Sequence, residues 1–312
     1  MGREMTVEKK TALLHIDIDS PKTLLRFWGS EGIPTDLESF YDRAMDRAVT
    51  FFEKRKLPVT FFCVGEELVS SRAARKWIKE AFRKGHEIAN HTYTHPYGLT
   101  TLSESAIRVE IQRCSQAIEE LTGQRPMGFR APSYDVDEKV INLLEEMGYS
   151  YDTSAAWNVL LPAIKAYHKI FSKKTVTREF GSGSFRIPKA PYFPDANNWR
   201  VPQQSPRKIL EIPITRSTRW SLPFYNNFHL SAGPIYRNCS FSWMGHGQIV
   251  YLMHLIEFVD MTDGLPDRLA VHPNVKKPWR SKCDFLGETL DRIMEKYEPV
   301  KTLDYVRHYH EA

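Results

Sequence analysis

The sequence predicts an α/β fold in which parallel strands are covered by helices. In the first half of the chain, short apolar runs rich in β-branched and aromatic residues alternate with longer segments whose apolar residues recur at helical spacing. Gly85, Gly123 and Gly148 each follow a predicted helix, at the position where a helix end favours glycine. Acidic and imidazole side chains follow predicted strand ends, where barrel enzymes carry their catalytic groups.

The alternation is regular enough to place each element. The apolar run at residues 11–18 is short and reaches two aspartates, which indicates a strand. A 19-residue segment, 37–55, has apolar residues at helical spacing and predicts a surface helix. The predicted strands occupy residues 11–18, 59–64, 86–90, 128–130, 249–254 and 300–303, and the predicted helices occupy residues 37–55, 73–84, 104–121, 138–147 and 282–297.

Residues 157–247 interrupt this alternation. The segment is rich in Pro, Asn, Trp, Tyr and Phe, and we interpret it as insertions and loops over the active face of a single domain that spans residues 1–312. Its aromatic residues are candidates either for a sugar subsite or for local core. They are Trp199, Trp220, Tyr225, Phe228 and Trp243.

The composition excludes several classes of function. With 42% hydrophobic and 26% charged residues the chain is ordinary for a folded protein, and disorder is not expected. Its net charge of +5 includes no continuous run of Lys and Arg, so we expect no nucleic-acid partner. No stretch approaches the roughly 20 apolar residues of a membrane span. Four scattered cysteines and a polar segment at residues 1–10 favour a reduced, cytoplasmic setting.

Two histidines and two aspartates form a candidate metal site. His91 and His95 are four residues apart, which places both imidazoles on one face if the segment turns helically. Asp17 and Asp19 flank one isoleucine at a predicted strand end, so both side chains project the same way. One carboxylate and two histidines are a common catalytic zinc set that leaves a position open for water.

The presence of two aspartates suggests that they have different roles. If both carboxylates bound the metal, no group would remain to take a proton from the attacking water. One ligand and one general base would complete a mechanism for attack on a carbonyl. The alternative is that Asp17 or Asp19 caps the turn after the strand, where aspartate is favoured.

Three motifs resemble those of the polysaccharide deacetylase family (NodB homology, carbohydrate esterase family 4). Residues 85–96, Gly-His-Glu-Ile-Ala-Asn-His-Thr-Tyr-Thr-His-Pro, resemble its metal-binding motif. Residues 129–133, Phe-Arg-Ala-Pro-Ser, are similar to its Arg-x-Pro motif, and residues 148–154 are similar to its Gly-Tyr-x-Tyr-Asp-Ser-Ser stretch. The resemblance implies a distorted (β/α) barrel of the NodB-homology type, with loop insertions in the second half.

The resemblance also implies a role for each candidate residue. The implied metal ligands are Asp19, His91 and His95, which would hold one divalent cation, Zn²⁺ with Co²⁺ or Ni²⁺ as alternatives. The implied catalytic groups are Asp17 as general base, Arg130 to orient it, the Ser133 backbone N–H as oxyanion donor and His254 as general acid. Such a set suits an amide, whose carbonyl needs an electrophile and whose amine must leave protonated.

The chain also departs from the family pattern. The usual opening is Asp-Asp-Gly, whereas Ile18 separates the aspartates here, as in outlying branches that include deformylases of lipid-linked aminosugars and cyclic-amide hydrolases. The Asp-Trp pair of the fourth motif is missing, so the carboxylate that orients His254 is left open. The candidates are Asp152, Glu257 and Asp260.

The function expected from these observations is a metal-dependent de-N-acetylase. Its expected partner is an N-acetylated aminosugar in an oligosaccharide, glycolipid or glycoside, and a lipid-linked substrate would require peripheral contact with a membrane. The alternatives are a deformylase of a lipid-linked aminosugar, a cyclic-amide hydrolase, and a carbohydrate-binding protein with a relict metal site. The sequence leaves the oligomeric state open.

Overall fold

Eight parallel strands form one curled sheet in the computed structural model, which describes residues 10–157, 159–160, 162, 166, 187–203 and 207–311. The strands are β1 (Lys10–Asp17), β2 (Thr60–Cys63), β3 (Glu87–Asn90), β4 (Gly128–Phe129), β5 (Tyr151–Asp152), β6 (Leu210–Glu211), β7 (Gln248–His254) and β8 (Tyr297–Pro299). Their order across the sheet is β6-β5-β4-β3-β2-β1-β7, and β8 also pairs with β1. The predicted α/β fold with parallel strands is therefore confirmed.

Strand β1 is the centre of the sheet because three other strands pair with it. It pairs with β7 over its last seven residues, with β2 near its carboxyl end and with β8 near its start. In the register with β7, Asp17 lies opposite His254. Two candidate catalytic residues far apart in the sequence therefore end neighbouring strands at the same level of the sheet.

The side chains of β1 alternate between two environments. Leu14, Ile16 and Ile18 belong to the large hydrophobic core between the sheet and its helices. Leu13 belongs to a second cluster on the opposite, concave face of the sheet. Because strand side chains alternate, Asp17 shares this concave face, as the sequence predicts.

The helices in the described residues cover the convex face of the sheet and close its ends. They are α1 (Pro21–Phe27), α2 (Leu37–Arg55), α3 (Gly65–Ser70), α4 (Arg72–Arg83), α5 (Glu104–Thr122), α6 (Glu138–Glu146), α7 (Asn226–Ser242), α8 (Trp279–Met294) and α9 (Thr302–Glu311). Side chains of Asp36, Ser71, Ser103 and Asp137 accept hydrogen bonds that cap α2, α4, α5 and α6. None of these helices is long and apolar enough to cross a membrane.

The carboxyl-terminal elements differ from the prediction. The strand expected at residues 300–303 is wrong, because β8 ends at Pro299 and α9 begins at Thr302. The preceding helix, α8, begins and ends three residues earlier than predicted. The apolar residues after Pro299 suggested a strand, but Thr302 and Val306 instead form the buried face of an amphipathic helix.

The sequence interpretation also missed three helices. Helices α1 and α3 have seven and six residues, too few for a clear helical period, although the Ser20-Pro21 pair that begins α1 is a known helix start. Residues 157–247 were expected to be loops and insertions, yet they contain β6 and α7, a helical segment that is interrupted at Gly233. Residues 158, 161, 163–165, 167–186 and 204–206 of that segment, and residues 1–9, lie outside the described part of the chain.

Gly128 provides a test of the packing beneath the site. A Cβ atom at this position of β4 would overlap the ring of Tyr151, which is fully buried and donates a hydrogen bond to Glu87 at 2.7 Å. The ring cannot move aside, so Gly128→Ala should lower the free energy of unfolding by about 1–3 kcal/mol. Urea denaturation followed by circular dichroism measures the change.

Gly247→Ala is the matched control for this change. A Cβ atom at Gly247 meets no atom within 4 Å, so its effect on the free energy of unfolding should be small. Equal stability of the Gly128→Ala and Gly247→Ala chains would contradict the packing described for β4.

Candidate active site

The strand ends bring the candidate base and its partners together. Asp17 at the end of β1 is 2% exposed, and Arg130, which follows β4, is fully buried. Arg130 donates a hydrogen bond from Nη1 to Asp17 Oδ1 at 2.5 Å. On the other side of the carboxylate, His254 Nε2 lies 3.9 Å from Asp17 Oδ2. The Asp17 carboxylate therefore lies between the Arg130 guanidinium and the His254 imidazole.

Arg130 is itself held by contacts with three further residues. Its Nε and Nη2 donate to the carbonyl and hydroxyl oxygens of Thr153 at 3.1 and 3.2 Å, and its guanidinium lies 4.1 Å from the ring centre of Phe62. Nη2 also lies 2.7 Å from Nδ1 of His15, a residue that the sequence analysis overlooked. His15 shares the inward face of β1 with Asp17, and strand alternation was the signal that could have found it.

The contact with Arg130 fixes the tautomer of His15. Arginine only donates hydrogen bonds, so Nδ1 of His15 must accept, and the proton sits on Nε2. That nitrogen lies 2.8 Å from the hydroxyl of Thr302 at the start of α9. Burial, together with the Arg130 charge, holds the pKa of His15 well below its usual value and keeps the ring neutral.

Asp19, His91 and His95 form a buried set with the composition of a metal site. The oxygen Asp19 Oδ1 is 3.2 Å from His95 Nε2 and 3.6 Å from His91 Nε2, and the three ligand atoms lie within 4.8 Å of one another. Ligand atoms around a tetrahedral zinc are separated by roughly 3.3 Å, so these distances suit one small divalent cation.

Two details of hydrogen bonding also fit a cation. Asp19 Oδ1 is buried and has no hydrogen-bond partner among the residues that the structure describes. His91 Nδ1 lies 2.7 Å from the Arg130 carbonyl oxygen, so this nitrogen donates and Nε2 is left with its lone pair toward Asp19. Although burial raises the pKa of Asp19, the two histidines outweigh it and hold that pKa well below its usual value.

The loop that carries the two histidines is not helical. The four-residue spacing would place both imidazoles on one face only in a helical segment. Thr92 and His95 adopt φ angles of 65° and 54° in the left-handed region, which non-glycine residues seldom occupy. The two imidazoles meet through this strained loop, with ring centres 4.9 Å apart. Such backbone strain persists only where neighbouring contacts enforce it.

Three polar side chains, one within the motif and two outside it, enforce that conformation. Asn90 accepts a hydrogen bond from the Thr92 N–H at 2.8 Å. Glu110 on α5 accepts from the two following backbone N–H groups at 3.0 and 2.8 Å, and Arg26 on α1 donates to the carbonyl oxygens of Thr94 and His95 at 2.8 and 2.6 Å. No spacing rule connects Glu110 or Arg26 with the motif, so the sequence analysis missed them.

The carboxylate beside His254 is Glu257. Its Oε1 lies 3.2 Å from His254 Nδ1, and its Oε2 accepts a hydrogen bond from Asn226 at 2.5 Å. Burial lowers the pKa of His254, but the Glu257 hydrogen bond and the charges of Glu257 and Asp17 outweigh it and raise that pKa to about 9. These neighbours therefore favour the protonated imidazole, and Nε2 lies on the side of the ring nearer Asp17.

The other two candidate orienting carboxylates lie elsewhere. Asp152 accepts hydrogen bonds from the backbone and hydroxyl of Ser154, whose hydroxyl oxygen accepts from the Ala131 N–H at 2.8 Å. It thus supports the loop after Arg130. Asp260 accepts from Thr262 and from the Trp279 N–H, and therefore caps a 3-10 helix and the start of α8. Neither carboxylate contacts His254 in the described structure.

Ser133 lies at the mouth of the same site. It follows Pro132 in a short 3-10 helix and has a φ angle of 52°, and Tyr134 beside it has a φ angle of 60°. Both residues line the cavity that contains Asp17 and Asp19. The resemblance implies that the Ser133 backbone N–H is an oxyanion donor. The strained turn places this segment against the cavity.

A cavity of about 480 Å³ opens above these groups. It contains Asp17, Asp19, His91, His95 and His254 at its base. Of the five aromatic residues proposed from the sequence, Tyr225 and Phe228 line the cavity. Trp199 is core, at 1% exposure, Trp220 is 55% exposed, and Trp243 lies outside the described cavity lining.

Solved structures share the whole fold. A candidate polysaccharide deacetylase from Mycobacterium smegmatis superposes with a TM-score of 0.61 at 16% identity, covering 97% of this chain and 91% of that one. A CE4 family pseudoenzyme from Bacillus anthracis superposes with a TM-score of 0.51 at 14% identity, covering 96% and 66% of the two chains. The predicted barrel of the NodB-homology type is thereby confirmed.

Sequence comparison confirms the resemblance. The family described as polysaccharide deacetylase matches residues 36–151 of the chain. The chain is 31% identical over 157 residues to a peptidoglycan deacetylase-like protein of Gibberella zeae, covering 50% of this chain and 40% of that protein. It is 29% identical over 152 residues to the peptidoglycan deacetylase of Helicobacter pylori, covering 47% and 50%. The chain thus spans half or less of these relatives.

The ligand set leads to a prediction about metal content. Purified chain dialysed against zinc should retain about one divalent ion, and replacing Asp19, His91 or His95 by alanine should abolish retention because three ligands are the minimum of such a site. Inductively coupled plasma mass spectrometry measures the ratio of metal ions to protein chains.

The control is His308→Ala, which replaces an exposed histidine on α9 and should retain the ion. Equal metal content in all four variants would refute the site.

Proposed function

We propose that the chain is a metal-dependent amide hydrolase that removes the acetyl group from an N-acetylated aminosugar. One observation carries the proposal: a carboxylate held by a buried arginine faces an imidazole held by a buried glutamate, beside a three-ligand metal set. Amide hydrolysis needs these three functions together, and their residues come from the ends of β1, β3 and β7. The match of residues 36–151 to the polysaccharide deacetylase family supports the choice of substrate.

The proposal assigns the site residues as follows. A divalent cation held by Asp19, His91 and His95, zinc being the first choice, would polarise the amide carbonyl as a Lewis acid. Asp17 takes a proton from the attacking water, and Arg130 keeps the carboxylate pointed into the cavity. The Ser133 N–H donates to the oxygen that becomes negative when the water oxygen adds to the carbonyl carbon.

His254 completes the reaction from the other side of Asp17. Its Nε2–H donates a proton to the amide nitrogen as the carbon–nitrogen bond breaks, so the amine leaves neutral. Water is consumed, and the products are the carboxylic acid and the free amine. Glu257 holds Nδ1 and favours the protonated imidazole that this step requires.

The alternatives remain a formyl substrate, a cyclic amide and a relict binding site. A formyl substrate and a cyclic amide would use the same catalytic groups. Hydrolysis of a formyl substrate releases formate, whereas opening of a cyclic amide releases no separate acid. The buried Arg130–Asp17 pair argues against a relict site. A buried ion pair is a weak source of stability, so a protein that only bound sugar would gain little from retaining it.

We also propose that residues 1–312 form one domain, with residues 157–247 arranged over its active face. Strands β1, β7 and β8, from the two ends of the chain, pair in one sheet, which supports this division. A cytoplasmic location is part of the proposal and rests on the four scattered cysteines.

The function is tested by a screen for acid release. Zinc-loaded chain should release acetate from at least one class among N-acetylated sugars, nucleotide sugars and lipid-linked sugars, and formate is measured in the same assay. Asp17→Asn should lower kcat at least about 100-fold, the usual loss when a general base is removed, while metal content stays unchanged. Enzymatic assay of acetate and mass spectrometry of the amine give the rates.

The matched control is Asp46→Asn, which removes a carboxylate at an exposed position of α2. It should leave kcat unchanged. Full turnover by the Asp17→Asn chain would remove Asp17 from the mechanism, and ligand binding without any acid release would favour the relict site.

The pH dependence tests the pairing of His254 with Glu257. A general acid works when protonated, so kcat/KM should fall as the pH rises through about 9, the raised pKa of His254. Glu257→Gln removes the charge that raises this pKa, so the alkaline fall should move to lower pH. Glu288→Gln, an exposed partner of Arg237, is the control. An alkaline fall at the same pH in the Glu257→Gln chain would show that another group donates the proton.

A further inference from the structure

One wall of the cavity is a continuous series of aromatic rings that begins at a metal ligand. The His95 ring is 5.2 Å from Tyr97, Tyr97 is 5.5 Å from Phe27, and Phe27 is 5.4 Å from Trp28, between ring centres. The three aromatic residues line the cavity. The series therefore leads outward from the reacting centre along α1.

The opposite wall is also apolar. Tyr225 and Phe228, with ring centres 6.1 Å apart, face the cavity from the start of α7. Val271, the last residue of the 3-10 helix Asp267–Val271, and Pro273 also line the cavity, and this 3-10 helix packs against α1. Two apolar walls thus flank a channel that is continuous with the catalytic groups.

Charged groups are confined to the catalytic end of the cavity. Among the described lining residues, Asp17 and Asp19 supply the carboxylates, and no lysine or arginine is present. A polar corner consists of Asn227, Ser231 and His272, in which Asn227 Nδ2 lies 3.2 Å from His272 Nε2. These few groups could satisfy one sugar unit. Several sugar units would bury hydroxyl groups against apolar walls without partners, which is unfavourable.

We propose that the substrate is an amphiphilic glycoside, in which one N-acylated sugar carries a hydrocarbon group that binds between the Tyr97–Phe27–Trp28 wall and the Tyr225–Phe228 wall. This inference rests on the proposed function for the position of the sugar. The sugar amide lies at Asp17 and His254, and the hydrocarbon group lies in the channel that leads away from them. An oligosaccharide that stacks its sugar rings on the same aromatic residues is the competing occupant.

Binding of a homologous series distinguishes the two occupants. The ligands are the methyl, butyl and hexyl glycosides of N-acetylglucosamine, below their critical micelle concentrations, and chitotetraose. Isothermal titration calorimetry on the zinc-loaded Asp17→Asn chain, and on the wild-type chain, measures Kd. Burial of one methylene group strengthens binding by at most about fourfold. The hexyl glycoside should therefore bind at least tenfold more tightly than the methyl glycoside, and chitotetraose no more tightly than the butyl glycoside.

Two variants test where the hydrocarbon group binds. Phe228→Ala should reduce the hexyl-to-methyl ratio of Kd at least threefold. Val271→Asp should do the same, and since Val271 is 43% exposed the substitution leaves folding intact. Trp220→Ala, an exposed aromatic residue outside the cavity, is the control and should leave the ratio unchanged.

The outcomes separate this inference from the proposed function. Equal Kd values along the alkyl series, with tighter binding of chitotetraose, would overturn the amphiphilic substrate while leaving the hydrolase intact. An alkyl-length dependence that disappears in the Val271→Asp chain supports the inference even if the wild-type chain releases no acid. In that case the proposed hydrolase activity is wrong, and the proposed apolar binding channel is supported.

Discussion

The buried charge of Arg130 is the constraint on which the site depends. Its guanidinium contacts Asp17 and His15 on β1 and Thr153 after β5, so one side chain that follows β4 joins separate parts of the curled sheet. A buried charge that loses its partner destabilises a protein by about 3–5 kcal/mol, so these contacts favour the folded state. The orientation of the Asp17 carboxylate is therefore a product of folding rather than of substrate binding.

Strand register places His254 beside Asp17. Because β1 and β7 are parallel and paired over seven residues, Asp17 and His254 reach the same edge at the same level. The two candidate histidine ligands are attached differently, through a strained loop after β3 that depends on Glu110 and Arg26. The candidate acid and base thus rely on main-chain pairing, whereas the two histidines rely on side-chain contacts with two helices.

Much of this arrangement could be predicted because it follows from local periodicity. Strand alternation predicts that Asp17 and Asp19 face one side, and the structure shows Ile18 packed in the opposite core. The choice of Glu257 could not be predicted, since it depends on a 3-10 helix at residues 255–258 that turns the carboxylate back to His254. The non-helical histidine loop was missed for a similar reason, because the groups that impose it are distant in sequence.

The threefold pairing of β1 has a consequence for the motions of the molecule. Its backbone amides are bonded within a sheet whose neighbours come from both ends of the chain, so they can exchange with solvent only when most of the sheet opens. The cavity walls, in contrast, belong to α1, to the start of α7 and to 3-10 segments, which lie outside the sheet. Thermal fluctuations can therefore reshape the space around a ligand while the two aspartates of β1 and its following turn keep their places.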